Sequence, residues 1–155
     1  MRNNYELVEL LKLRQLKIAT AESITGGKLI STLIEVPGAS KITEQNYIVY
    51  SNLAKINVLN VSKETIVGFG VVSKEVALDM ARNLQRMTKA NISVSTTGEA
   101  GPTTSSEHTK IGTVCIAIII NSKEFLFEKH FQGDRVEIIN KTVTFIINEL
   151  YNLIN

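Results

Sequence analysis

A chain of 155 residues with 44% hydrophobic side chains has the commonest size of one folded domain and enough apolar material for an ordinary core. Its 17 Lys and Arg against 15 Asp and Glu leave a formal charge of +2 with no basic block, so charge gives no support to direct nucleic acid binding. A single cysteine excludes an internal disulfide framework.

The opening Met1-Arg2-Asn3-Asn4-Tyr5-Glu6 lacks the continuous apolar stretch of a signal peptide. The longest apolar run, Val114 to Ile120, falls far short of the roughly 20 residues that span a bilayer. A soluble, cytoplasmic protein without a membrane partner is expected. Residues 4 to 15 space Leu7, Val8, Leu10, Leu11 and Leu13 as an amphipathic helix, and Leu16 to Ala21 reads as a short buried strand. Ser23-Ile24-Thr25-Gly26-Gly27 then leads into a helical pattern through Leu29, Ile30, Leu33 and Ile34 that stops at Pro37-Gly38. Asn46 to Ser51 is strand-like, and Asn52 to Ile56 begins another helical turn.

Ser73 suits the N-cap of a helix from Lys74 to about Lys89, with Val76, Ala77, Met80, Leu84 and Met87 facing inward. Ile92 to Thr96 forms a further strand. The stretch from Thr97 to Gly112 is too poor in hydrophobic residues to be an element. Strands over Thr113 to Ile120 and Glu124 to Phe131, joined across Asn121-Ser122-Lys123, make an antiparallel hairpin. Asp134 caps the last helix with Glu137 three residues on, and Ile138, Ile139, Val143, Ile146, Ile147, Leu150 and Leu153 supply its buried face. Helices alternating with strands predict an α/β protein. The expected architecture is a three-layer α/β/α sandwich over a mixed, mainly parallel sheet of about five strands with a late antiparallel hairpin. No repeat or linker divides residues 1–155, which are expected to form one domain.

Chemistry in such a sheet collects beyond the carboxyl ends of its strands. Read locally, Ser23 is first a helix N-cap and second a nucleophile, with Gly26 and Gly27 allowing close backbone approach to an anion. Lys55, in Tyr50-Ser51-Asn52-Leu53-Ala54-Lys55, is a candidate base for a serine if its amine is neutral, and otherwise a solvated helical lysine. Thr97-Gly98-Glu99-Ala100-Gly101-Pro102 has the form of a loop that closes over a ligand, or of a plain connection. His108 and His130 have no second ligand at metal-binding spacing, so no metal site is expected. Cys115, inside the apolar run, reads as a buried and inert thiol. The Gly-x-Ser-x-Gly elbow, the Walker A loop and the Gly-x-Gly-x-x-Gly fingerprint are absent.

Seven segments together resemble the CinA C-terminal family of nicotinamide mononucleotide deamidases. They are Thr20 to Gly27, Val36-Pro37-Gly38-Ala39-Ser40, Tyr50 to Lys55, Gly70-Val71-Val72-Ser73, Thr97 to Pro102, Gly112-Thr113-Val114 and Phe131-Gln132-Gly133-Asp134-Arg135. The resemblance implies hydrolysis of a pyridine nucleotide carboxamide to acid and ammonia, with Ser23 as nucleophile, Lys55 as its general base, and neither cofactor nor metal. It implies Tyr50, Ser51 and Asn52 lining the site, with Thr97, Gly98, Ala100 and Gly101 from the following loop. Thr25, Gly26 and Gly27 would supply a hydroxyl and amides to the oxyanion or to the substrate phosphate. Arg135 would clamp phosphate, or else pair with Asp134 or Glu137 at the surface. A homo-oligomer is also implied.

This chain departs from the family pattern at Glu99, where an apolar residue is usual, and at Thr103-Thr104-Ser105-Ser106, where glycines are usual. A carboxylate there would repel an anionic ligand unless it faced solvent. Full-length members carry an additional N-terminal domain; the deamidase module alone is expected here. Two other functions stay open: a catalytically weak nucleotide-binding or protein-interaction module of the competence and damage-inducible type, and an amidase for another small amide.

Overall fold

A computed structural model describes residues 3–155. Met1 and Arg2, the start of the segment read as lacking a leader, lie outside the described residues. The elements in order are α1 (Asn4–Leu13), β1 (Ile18–Glu22), α2 (Lys28–Ile34), a 3-10 turn (Ala39–Lys41), β2 (Thr43–Ile48), α3 (Asn52–Leu59), α4 (Lys63–Phe69), α5 (Lys74–Thr88), β3 (Ile92–Gly98), β4 (Thr113–Ile120), β5 (Lys123–His130) and α6 (Arg135–Ile154). Among the described residues no helix is long and apolar enough to cross a membrane.

The strands form one sheet in the order β2-β1-β3-β4-β5. The β1–β2 and β1–β3 ladders are parallel, and β3–β4 and β4–β5 antiparallel. Four strands therefore point one way and β4 alone the other. The carboxyl ends of β1, β2, β3 and β5 meet at one edge, with the direction of winding reversing between β1 and β3.

Alternation along the strands builds the two outer layers. Ile18, Ile92, Val94, Val114, Ile116 and Ile118 face Leu7 and Leu11 of α1, Leu29 and Leu33 of α2, and Ile138, Ile146 and Leu150 of α6. The other face carries Ala19 and Ala21 against Val76, Met80 and Leu84 of α5, and Cys115, Ala117 and Ile119 against Ala77 and Ala81. Small side chains let α5 approach closely. The hydroxyls of Ser93 and Ser95 donate to the Ala81 and Ala77 carbonyls of that helix at 2.9 and 2.5 Å, so neither buried polar group is left unpaired.

Helix starts follow their local chemistry. The Ser73 side chain accepts from the Val76 amide, and Asp134 and Glu137 form the expected capping box. The hairpin turns at Asn121 and Ser122, with Asn121 in the left-handed region at φ 54°.

Several expectations shift. β2 begins at Thr43 and ends at Ile48, ahead of the expected 46–51, because Val49 to Ser51 leave the sheet to start α3. Met87 is 43% and Leu13 80% exposed, each lying past the turn where its helix covers the sheet. Helix α4 was unmarked in sequence: it buries no residue and rests on the Ser62 cap, so it has no apolar stripe to detect. In α6 the buried face includes Thr142, whose hydroxyl bonds the Ile138 carbonyl at 2.8 Å and so passes as apolar.

Candidate active site

Residues that follow four strands converge on the common edge. Ser23 directly follows β1, Lys55 lies on α3 after β2, residues 97–101 end β3 and continue past it, and Arg135 opens α6 after β5. Ser23, Lys55, Tyr50, Asn52, Thr97, Gly98, Ala100, Gly101 and Arg135 all line one cavity of about 310 Å³, together with Ile24 and Glu99. Ser51 does not line it: its exposed hydroxyl caps α3 by accepting from the Ala54 amide at 3.0 Å.

Lys55 is 1% exposed, and its Nζ stands 2.9 Å from Ser23 Oγ, 3.0 Å from the Val49 carbonyl and 3.3 Å from the Tyr50 carbonyl. Burial pushes the amine down to about 8, from a usual value above 10. The partner set suits both protonation states. A neutral amine donates two protons to the two carbonyls and turns its lone pair to the serine hydroxyl; a protonated one donates to all three, and Ser23 Oγ–H then faces the Tyr50 carbonyl at 3.4 Å. Ser23 itself is 7% exposed. The arrangement can take the serine proton as the oxygen becomes a nucleophile.

The start of α2 is organised differently from expectation. Glu22, 0% exposed, aims its carboxylate back along the chain: Oε2 accepts from the Gly27 and Leu29 amides, both at 3.0 Å, and Oε1 from the Ile30 amide at 2.9 Å and the Thr20 hydroxyl at 3.2 Å. The Gly26 amide donates to the Ser23 carbonyl, and the Thr25 hydroxyl pairs with that of Thr96 at 2.9 Å. Thr25, Gly26 and Gly27 are thus committed inside the protein and do not line the cavity. A buried carboxylate takes the donors that a phosphate or oxyanion was expected to take. The backbone amides of Ile24 and Thr25, next after the serine, donate to no acceptor among the described residues.

Gly98 is held to hydrogen by crowding, since a Cβ there would lie 2.7 Å from Ile24 Cδ1 and 2.9 Å from the Thr113 carbonyl oxygen. Arg135 makes neither of the expected ion pairs. Its Nη1 donates to the Gly101 carbonyl and its Nη2 to the Tyr50 hydroxyl, both at 2.7 Å, so it links three segments around the cavity. Glu99 does not stand in bulk solvent: it is 6% exposed on the cavity wall, and one of its oxygens is bonded by Ser105 and Thr109.

Sequence reasoning overlooked Glu22 as a cap and Val71 and Val72 as cavity walls. The Thr97 hydroxyl donates to the Val71 carbonyl at 2.9 Å and holds that segment beside the site. The only signal for it was the Gly70-Val71-Val72-Ser73 motif. His108 and His130 lie along a neighbouring groove of about 690 Å³, where His130 Nδ1 meets the Thr113 hydroxyl at 3.2 Å. Cys115 is fully buried, and burial pushes its thiol up to about 12.

Residues 2–154 match the model of the CinA C-terminal domain. A Clostridium botulinum relative named for competence and damage induction is 47% identical over 138 residues, covering 89% of this chain and 34% of that protein. A CinA-like protein of Petrotoga mobilis is 39% identical over 137 residues, 88% of this chain and 34% of its own length. The chain thus spans about a third of the curated relatives it matches. Among solved structures, a competence or damage-inducible protein of Enterobacter asburiae superposes with a TM-score of 0.95 at 31% identity over 100% of both chains. The competence/damage inducible protein of Agrobacterium tumefaciens gives 0.90 at 31%, over 100% of this chain and 98% of that one.

Proposed function

The chain belongs to the CinA C-terminal domain family, and from that premise we propose that it is an amidohydrolase that cleaves the carboxamide of nicotinamide mononucleotide by a Ser-Lys mechanism. The observation that carries this reading is the 2.9 Å contact between a nearly inaccessible lysine amine and the hydroxyl of Ser23. Neutral Lys55 takes the proton of Ser23 Oγ as that oxygen attacks the amide carbon. It then gives the proton to the leaving nitrogen, which departs as ammonia and leaves an acyl-serine. Water, deprotonated by Lys55, attacks the ester, and Ser23 regains its proton as the acid is released. Charge on the tetrahedral oxygen falls to the amide of Ile24, which lines the cavity next to the nucleophile and is left without an acceptor among the described residues. Arg135 suits the substrate's phosphate, since its guanidinium lines the cavity with no carboxylate paired to it among the described residues.

The test is ammonia release from nicotinamide mononucleotide by the purified chain. Ser23→Ala and Lys55→Ala should each lower the rate by roughly 10³-fold or more. Equal rates in all three proteins would remove both assigned roles, and release only from other carboxamides would keep the mechanism and change the substrate. Self-association, implied by the family resemblance, is supported by the exposed side chains of Tyr50, Leu53 and Phe69 and is checked by light scattering.

A further inference from the structure

β3 and β4 are antiparallel neighbours whose ladder reaches Gly98 and Val114, and a turn of roughly two to five residues could join such strands. The chain spends residues 99–112 there instead. The neck of this excursion is closed: the Glu99 amide donates to the Thr113 carbonyl at 2.9 Å, and the Glu99 carbonyl accepts from the Gly112 amide at 2.7 Å. Gly101 at φ 84° and Gly112 at φ 88° flank what lies beyond the neck. A loop whose ends are held together can move as one body when few contacts hold its middle.

The middle is held at one point. From Pro102 to Ile111 every residue is exposed except the half-buried Thr109, and none of their side chains enters a core cluster. Among the described residues, the hydrogen bonds of residues 102–110 run within the segment, to its base at Thr113, or to the Glu99 carboxylate. Glu99 Oε1 accepts the Ser105 amide at 2.9 Å, the Ser105 hydroxyl, and the Thr109 hydroxyl at 2.8 Å. With its backbone paired at the neck and its side chain paired to the loop, Glu99 alone ties one to the other. Thr103, Thr104 and Ser105 line the cavity of Ser23 and Lys55, while Ser105, His108, Thr109 and Lys110 line the neighbouring groove of about 690 Å³. Ser105, which makes two of the three bonds to Glu99, is thus a wall of both spaces.

We propose that Glu99 is a positioning residue that latches residues 102–111 as a strap beside Ser23, and that breaking the latch joins cavity and groove into the path by which ligand enters and leaves. The inference rests on the amidohydrolase reading only for what passes along that path. A carboxylate at this position then acts through the loop that it holds.

The experiment is limited proteolysis of the full chain by a glutamyl endopeptidase, with the cut after Glu107, in the middle of the strap, followed by mass spectrometry. Because such a cut tracks the population of the opened segment, Glu99→Ala should speed it by about tenfold or more. Cuts at the glutamates of helices and strands, and the urea midpoint, should not move with it. Ser105→Ala combined with Thr109→Val removes two donors, leaves Glu99 in place and should speed the same cut. Glu99→Gln, which keeps an acceptor oxygen, should restore most of the protection. A Glu107 cut no faster in Glu99→Ala and in the double variant, or one that rises only in step with cuts elsewhere, would overturn the latch. For the path, Glu99→Ala should raise the KM for nicotinamide mononucleotide about tenfold, and by more than it lowers kcat; an unchanged KM would overturn the strap's part in ligand passage. A Glu107 cut that behaves as stated without ammonia release would leave the latch standing and remove the amidohydrolase reading. Ser23-dependent release with an unmoved cut would do the reverse.

Discussion

Lys55 has an environment that a surface lysine never meets. Two carbonyls and a serine hydroxyl replace its water, no carboxylate is among its hydrogen-bond partners, and burial lowers its pKa to about 8. In the proposed mechanism its base form is the productive one, so the sign of the pH dependence follows. Turnover should rise with pH, by roughly tenfold per unit well below the pKa, and level off above about 8. A rate–pH profile checks this; a flat profile between pH 6 and 9 would contradict a lysine base. Lys55→Arg should show no such plateau and a rate lower by roughly 10² to 10⁴, because a guanidinium stays charged across that range. Sequence made Lys55 a candidate and the resemblance gave it a role, but its burial against Ser23 and the Val49 and Tyr50 carbonyls follows from the β1–β2 pairing that sets Ile48 beside Glu22.

At the scale of the element, α2 shows how a short helix can be fixed to the loop that carries Ser23. Its seven residues begin on Gly27 at φ 98°, with no side-chain cap of its own. Glu22, the last residue of β1, caps it from a distance by accepting from Gly27, Leu29 and Ile30. Ser23 lies in the chain between the carboxylate and the helix that the carboxylate holds. Glu22→Ala would leave three amides unpaired, at about 1–3 kcal/mol for each one that stays buried, so a loss of about 3 kcal/mol or more is expected. Chemical denaturation measures it, and activity should fall along with stability as Ser23 loses its anchor. At the far end of the chain, Asp134→Ala should cost about 1 kcal/mol by uncapping α6, read as a shift of the urea midpoint. The Asp134 cap was legible because it depends on contacts three residues apart. The Glu22 cap was not, since an acidic residue ahead of a serine and two glycines gives no sign of which amides its side chain will reach.

On the scale of the whole molecule, the candidate site lies at the loop-bearing edge of the sheet, and the layers beneath it are closely packed. Cys115, on β4, lies at 0% exposure against α5, with its thiol pushed up to about 12. It should therefore react with an aromatic disulfide only when that layer opens, at a rate that follows global unfolding as denaturant rises. Rapid reaction in the native protein would mean that α5 detaches on its own. Gly112 provides a second check: at φ 88°, a Cβ there would fall 2.0 Å from the Phe131 carbonyl oxygen. Gly112→Ala should displace the strand that enters the sheet at Thr113 and lower the melting temperature more than Gly26→Ala, which meets nothing within 4 Å.

The sequence by itself determined the five strands and every helix but α4, because apolar periodicity, caps and turn residues act over three or four positions, and α4 buries no residue that could mark it. It also carried the motifs on which the family resemblance rests. Only the tertiary structure decided which donors and charges are spent inside the protein and which face the cavity. Gly27 binds Glu22, Arg135 links Tyr50 to Gly101, and Glu99 holds the loop through Ser105 and Thr109. The physical reason is that a polar group's partner is chosen by geometry at the moment burial removes water, and the partners in these pairs lie from 5 to 85 residues apart.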